Sequence, residues 1–285
     1  MATTVIAGIT TRYEVRGSGP ALLMFSPGGF DATLEKWTTQ SVYARIKPLD
    51  HLSRKYTCII FDRRETGQSG GRVERITWDH YMEQGKGLLD HLQMQRAHVM
   101  GACMGCCPAV AFGVAYPDVT LSLLLYWPVG GAKYRINGQL RFSQHLAYVQ
   151  QHGLEGVISL VTADGKSFGE DPRGGPWASV LRRDPAFAET FVRQDVGRYR
   201  LLVSAMGRTL FDRDTAPGAE PEDMLRLGVP ALIVPGRDQS HATSAARYLE
   251  ECLSKAEYWD APVEEQTEQT APFRMLEFLD SVTDR

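Results

Sequence analysis

Gly101-Ala102-Cys103-Met104-Gly105 is the stretch that decides how this chain folds. It stands between a short apolar run, Ala97–Met100, and an apolar, helix-forming stretch, Met104–Tyr116. A nucleophile with a glycine two positions away on either side, entered from a strand and left by a helix, marks a strained turn that lifts one side chain above a sheet. The glycines are required because side chains at those positions would collide in so tight a turn. The turn leaves Cys103 at a helix N-terminus, where the backbone dipole favours an anion and lowers the pKa of a thiol. The thiolate is the reactive form of cysteine, so position and residue type point to the same chemistry.

Outward from this turn, short apolar runs alternate with amphipathic stretches. Thr4–Ile6 and Thr10–Arg16 read as a hairpin, with Gly17-Ser18-Gly19-Pro20 as the following turn. Ala21–Phe25, Cys58–Phe61, Leu121–Tyr126 and Ala231–Val234 have the composition of strands buried on both faces. Ala256–Trp259 reads as the last strand. Helices fit between them, roughly at Asp79–Leu92, Met104–Tyr116, Thr243–Leu253 and Phe273–Val282. Such alternation predicts a mostly parallel sheet with helices on both faces.

Residues 130–227 break the rhythm. Charge, glycine and proline rise there, as in Asp171-Pro172-Arg173-Gly174-Gly175-Pro176, and helical patches at Gln139–Gln151 and Phe187–Met206 come without a convincing strand. A stretch of about 100 residues is too long for one crossover connection. The reading is an inserted helical lid, 130–227, on a core made of 1–129 and 228–285.

Four motifs in this order resemble the α/β-hydrolase superfamily. Besides the turn at Cys103, Phe25-Ser26-Pro27-Gly28-Gly29-Phe30 is similar to the oxyanion loop after the third strand. Phe61-Asp62-Arg63-Arg64-Glu65-Thr66-Gly67-Gln68-Ser69 is similar to the turn after the fourth strand, where Asp62 and Arg63 read as structural groups. Val229-Pro230-Ala231-Leu232-Ile233-Val234-Pro235-Gly236-Arg237-Asp238 is similar to the strand that ends in the catalytic acid. The resemblance implies an eight-strand, mostly parallel sheet, with a lid of the kind one branch of the superfamily carries. A thiol at this position, where most members have serine, resembles the dienelactone-hydrolase type in its nucleophile only.

The resemblance also implies a site. Cys103 is the nucleophile. The amides of Met104 and of Gly28 or Gly29 hold an oxyanion, Gly29 being favoured because it stands one position further into the loop. Asp238 is the acid. The family places its histidine after the last strand, yet 260–285 contain none. Of seven histidines, only His241 lies in the acid-bearing loop. Either His241 supplies the base, or it is a polar residue before the helix at Thr243 and the usual triad is missing. Its close spacing to Asp238 argues against contact between the two side chains. His98, inside a buried strand, reads as a core hydrogen-bonding group, and His80 and His91 as structural or exposed groups on a polar helix. Cys103-Met104-Gly105-Cys106 is also a C-x-x-C, open to a redox reading, whereas Cys106 and Cys107 fit small apolar fillers on a packed helix. A zinc site would need two further ligands at suitable spacing, and none is evident. Tyr126-Trp127-Pro128 either lines the pocket or packs in the core.

Composition narrows the partners. Hydrophobic residues at 43% and charged residues at 23% place the chain among soluble globular proteins. A net charge of -3 without basic clusters offers nucleic acid no electrostatic footing. There is no apolar run of membrane-spanning length and no signal-peptide pattern at the N-terminus. Five cysteines, three of them crowded together, suit a reduced cytoplasmic protein better than a disulfide framework. The expected function is hydrolysis of an ester, lactone or thioester, or cleavage of a C–C bond beside a ketone, through a Cys103 acyl-enzyme. The expected partner is a small-molecule carbonyl substrate, with no cofactor and no metal, and a homodimer is left open. The alternatives are a cofactor-free lyase and a non-catalytic ligand-binding protein on the same fold, both favoured by the missing late histidine.

Overall fold

The apolar runs become the buried middle of one eight-stranded sheet in the computed structural model, which describes residues 1–215 and 218–283. Positions 216 and 217 of the expected lid, and the last two residues of the expected core, lie outside the described residues. The strands are β1 (Ala2–Ile6), β2 (Ile9–Arg16), β3 (Ala21–Phe25), β4 (Thr57–Phe61), β5 (Ala97–Ala102), β6 (Thr120–Tyr126), β7 (Ala231–Val234) and β8 (Ala256–Tyr258). Their spatial order is β1-β2-β4-β3-β5-β6-β7-β8. β2 runs antiparallel to both neighbours, and all other adjacent pairs are parallel.

Every residue of β3, β4 and β5 is buried, because both faces of the sheet are covered. Leu23 and Phe25 face a cluster with Leu88, Leu89, Val110 and Phe112 of the helices Trp78–His91 and Cys106–Ala115. Leu22 and Met24 face the opposite side, with Trp37, Ile46, Leu52, Met275 and Phe278. The two-residue alternation of a strand thus divides one apolar run between two cores. On that second side, the short helices Lys36–Thr39, Ser41–Ile46 and Pro48–Leu52 have no counterpart in the sequence reading. Each is too short for a helical period to register.

Between β6 and β7, helices cover Ala132–Asp164, Ala178–Arg183, Pro185–Val192, Val196–Leu210 and Pro221–Arg226, without a strand among the described residues. The first is interrupted at Gly153, where φ is 67°. The expected continuous helix Phe187–Met206 is two helices. Asp195 accepts the amide of Arg198 and starts the second one as an N-cap. Phe142, Phe168, Trp177, Phe191 and Tyr199 of this segment form a cluster that also takes in Phe30, Trp78, Tyr81 and Met104. Each such ring hidden from water contributes about 1.5–3 kcal/mol of transfer free energy, so the segment is anchored over the carboxyl ends of β3 and β5, next to Phe30 and Met104. Met224 and Leu227, near its end, pack with the sheet's own core. No described helix is long and apolar enough to cross a membrane.

Candidate active site

Cys103 has φ of 55°, the left-handed region that a residue with a side chain rarely adopts. The flanking glycines explain how the strain is held. A Cβ on Gly101 would lie 2.5 Å from Cys106 Cα, and one on Gly105 would strike the carbonyl oxygen of Phe25. Gly105 therefore lets the turn lie against the end of β3, where the loop carrying Gly28 and Gly29 departs. A single 3₁₀ turn, Cys103–Gly105, precedes the helix, which begins at Cys106 instead of the expected Met104.

The loop after β7 is built around one carboxylate. Asp238 Oδ1 accepts the amides of Ser240 at 2.8 Å and His241 at 3.0 Å, which folds the chain back on itself. His241 Nδ1 is then 2.8 and 2.9 Å from the two carboxylate oxygens. The close spacing that argued against this contact is what makes it, because the side chain of Asp238 closes the turn. Further bonds pin the loop beside the end of β6. Arg237 N donates to His241 O at 2.8 Å, and Gly130 N donates to Ser240 O at 2.9 Å. The Trp127 ring packs 5.4 Å from the imidazole, centroid to centroid. A Cβ at Gly236 would stand 2.6 Å from His241 Cβ, so only glycine leaves room for the ring.

His241 Nε2 is buried, makes no well-aligned hydrogen bond, and lies close enough to the Cys103 thiol for each group to shift the other's titration. Catalytic pairs of this kind commonly align only as the transition state forms. Burial draws the His241 pKa down, but the hydrogen bond to Asp238 and the nearby thiol outweigh it and push the pKa up to about 9. The His241 hydrogen bond, working against burial, holds Asp238 down at about 2. Burial alone would raise the Cys103 pKa. Its contact with His241, the imidazole's charge, and the amides of Gly28 and Met104 together bring it below the ordinary value.

The structure thus gathers Cys103, His241, Asp238, Met104 and Gly28 in one place. Gly29 belongs to the loop, but its amide is not among the groups that act on the sulfur, and its carbonyl accepts from Arg63 at 2.5 Å. Gly28, with φ of 102° and the Asp31 carbonyl 2.9 Å from where a Cβ would sit, is the position only glycine can fill.

Other candidates stand apart. His98 bonds Ser122 Oγ at 2.8 Å and Thr283 Oγ1 at 3.0 Å inside the fold, and burial draws its pKa down to about 4. His80 closes the N-terminus of its helix through Thr77, and His91 lies beside Tyr13 and Thr4. All five cysteines are free. The Cys106 thiol donates to the carbonyls of Gly101 and Tyr126, beneath the turn, so it is committed to the core. Asp62 fixes its turn by accepting from Leu34 N, Gln68 N and Arg12. No metal-holding cluster of His, Cys, Asp or Glu occurs among the described residues. Gln266 carries no sequence signal but holds the site from below. Its Oε1 accepts from Tyr126 Oη and Trp127 Nε1, both at 2.7 Å, and its Nε2 donates to the carbonyls of Pro235 and Ala261, both at 3.0 Å.

No family model matches the chain. A dihydrolipoyllysine-residue acetyltransferase component of the acetoin cleaving system of Cupriavidus necator is 30% identical over 125 residues, 44% of this chain and 31% of that protein. The uncharacterized hydrolase YraK of Bacillus subtilis is 25% identical over 129 residues, 45% of this chain and 44% of that protein. The matched stretch therefore spans less than half the length of either curated relative. Solved structures match along nearly the whole chain. An α/β-hydrolase enzyme, MGS-M2, from a Medee basin deep-sea metagenome library has a TM-score of 0.65 at 18% identity, covering 98% of this chain and 97% of its own. The enol-lactonase of Burkholderia xenovorans LB400 has a TM-score of 0.61 at 18% identity, covering 98% and 100%. The fold is the α/β-hydrolase fold.

Proposed function

We propose that the chain is a hydrolase in which Cys103 attacks an activated carbonyl and His241, held by Asp238, carries the protons. The observation that carries this reading is the line Asp238–His241–Cys103, with the imidazole pKa raised and the thiol pKa lowered by one another. Both shifts favour the thiolate–imidazolium form of the pair, a nucleophile with its acid beside it.

The thiolate adds to the carbonyl carbon, and the π pair moves to oxygen, where the Gly28 and Met104 amides receive it. As the intermediate collapses, the imidazolium gives its Nε2 proton to the departing group and an acyl-thioester remains on Cys103. Water then attacks with His241 as base, the C–S bond breaks, and the acid leaves with the thiolate restored. A thiolate departs more readily than an alkoxide or an amide nitrogen, because its conjugate acid is stronger. Productive collapse therefore needs a leaving group of comparable ease, such as an enolate, phenolate or thiolate. An enol-lactone, aryl ester or thioester meets that demand. The likeness to an enol-lactonase supports this class as a proposal. We further propose that the helical segment of residues 130–227 acts as the lid that selects the acyl group. The lyase and binding-protein readings drew on the missing late histidine, and His241 supplies an imidazole in its place.

The test is turnover of p-nitrophenyl acetate and an acyl-thioester, with the intact protein weighed during the first turnovers. The reading expects an acyl mass on Cys103 and no turnover by Cys103→Ala. Turnover that survives in Cys103→Ala, or hydrolysis without an adduct on that thiol, overturns it.

A further inference from the structure

Arg63 opens the turn after β4 and is fully buried, with 0% of its surface exposed. Its Nη2 donates to the carbonyls of Gly28 and Gly29. Nε and Nη1 meet no acceptor. No carboxylate pairs with the guanidinium among the described residues. The acids nearest in sequence are committed elsewhere, Asp62 to Leu34, Gln68 and Arg12, and Glu65 to Arg64. The Tyr81 ring lies 5.1 Å from the guanidinium carbon and supplies only a π face. A buried cation without a counter-ion is among the costliest arrangements a fold can keep.

The cluster packed against Cys103 holds a second orphan. Tyr134 comes from the first turn of the helix Ala132–Asp164, is 8% exposed, and its phenol has no partner. Arg63 and Tyr134 act electrostatically on each other and on Cys103. Arg63 comes from the turn after β4 and holds the loop that carries the Gly28 amide, and Tyr134 comes from the helical segment and shares a cluster with Met104, against which Cys103 packs.

We propose that Arg63 and Tyr134 form a carboxylate subsite, so the substrate is an acyl compound with a free carboxylate close to the scissile carbonyl. The inference deepens the hydrolase reading and rests on it for the position of that carbonyl. One negative charge balances the one positive charge, and a carboxylate can accept from one free guanidinium N–H and from the phenol. A phosphate dianion would bring a second charge that no described group answers, and a neutral acyl chain would leave the cation uncompensated. Because Nη2 grips the loop that carries the Gly28 amide, an anion held by the same guanidinium also steadies the oxyanion position.

Two small reagents read the subsite without turnover. Iodoacetate and iodoacetamide alkylate a thiolate by the same displacement of iodide and differ in the carboxylate. The rate ratio of iodoacetate to iodoacetamide at Cys103, followed on the intact protein by mass spectrometry, is expected to exceed that of glutathione by at least tenfold. It should fall at least tenfold in Arg63→Met and at least threefold in Tyr134→Phe. A wild-type ratio equal to that of glutathione, or a ratio unmoved in both variants, overturns the proposal. Calorimetric titration with phenylacetate and with phenylacetamide keeps the question separate from thiol reactivity. The acid is expected to bind at least tenfold more tightly than the amide to the wild type, and to lose that margin in Tyr134→Phe even if Arg63→Met does not fold. Equal binding of acid and amide overturns the subsite. Preferred acid binding by a protein that neither labels nor turns over would overturn the hydrolase reading alone.

Discussion

Asp238 Oδ1 lies 2.8 Å from His241 Nδ1 while the same oxygen accepts the backbone amides of Ser240 and His241. One carboxylate therefore makes the turn and orients the imidazole. In a chain whose segment after β8 has no histidine, this i, i+3 arrangement gives the imidazole a fixed tautomer. Nδ1 donates to the carboxylate and Nε2 is left toward the sulfur.

Asp238→Asn tests the orienting half of that arrangement. The amide oxygen can still cap Ser240, so the turn should survive, but the charge that favours imidazolium is lost. Turnover of an aryl ester is expected to fall about 10- to 100-fold, less than the ~10⁴ seen for a buried triad acid, because Asp238 is half exposed to solvent. An unchanged rate would assign the carboxylate to loop structure only.

The pH profile of Cys103 alkylation follows from the signs of the shifts. An adjacent imidazolium favours thiolate, so the labelling midpoint should lie below the ~8.5 of an ordinary cysteine. Without His241 the burial effect remains and the largest opposing group is gone. In His241→Ala the midpoint should therefore rise above that of the wild type. Turnover should also fall on the alkaline side as the imidazolium, raised to about 9, loses its proton. The two steps belong to the coupled pair. A midpoint shared by wild type and His241→Ala would remove His241 from the site.

The two loop glycines should separate cleanly. Gly28→Ala forces a side chain into positive φ against the Asp31 carbonyl. It is expected to destabilise the fold by about 1–3 kcal/mol, and displacement of its amide by the strained backbone should lower kcat by up to about 10²–10³. A Cβ on Gly29 meets only Met104 Sδ at 3.6 Å, an ordinary contact. Gly29→Ala should stay within about 1 kcal/mol in stability and tenfold in kcat. Thermal melts and steady-state rates decide, and a larger loss at Gly29 would reverse the assignment.

Much of the fold could be read from the chain because its signals are local. The glycines around Cys103 and the unbroken apolar runs report sterics and burial within a few residues. The mostly parallel pairing follows from strand–helix alternation. What escaped was non-local or shorter than a period. The helices between Lys36 and Leu52 are one turn or little more, and the split at Asp195 depends on a cap that a polar pattern hides. The positive φ of Gly28 is not disclosed by two adjacent glycines. Arg63 read as a turn residue because its neighbour Asp62 is one. Its missing counter-ion shows only when every carboxylate around it has been located.

Gln266 supports the last prediction. It is fully buried and makes four hydrogen bonds, to Tyr126, Trp127, Pro235 and Ala261. It thereby ties the segment after β8 to the ends of β6 and β7. Trp127 is the ring packed on His241, and Pro235 begins the loop that carries Asp238. Gln266 touches neither Cys103 nor His241, so any effect on them is exerted through Trp127 and the loop after β7. Gln266→Leu keeps most of the volume but orphans the indole N–H, the Tyr126 hydroxyl and two carbonyls. Buried groups left unsatisfied cost about 1–3 kcal/mol each, and partial access to water should bring the total to roughly 2–4 kcal/mol, read as a lower midpoint in urea. A purely structural role would stop there. If Gln266 also positions the base, the folded variant should show a Cys103 alkylation midpoint moved toward that of His241→Ala. Gln266→Glu, which keeps the two acceptor contacts when ionised, should move the midpoint less. A variant that is less stable but titrates like the wild type would leave Gln266 as a structural strut, with Trp127 held on His241 by packing alone.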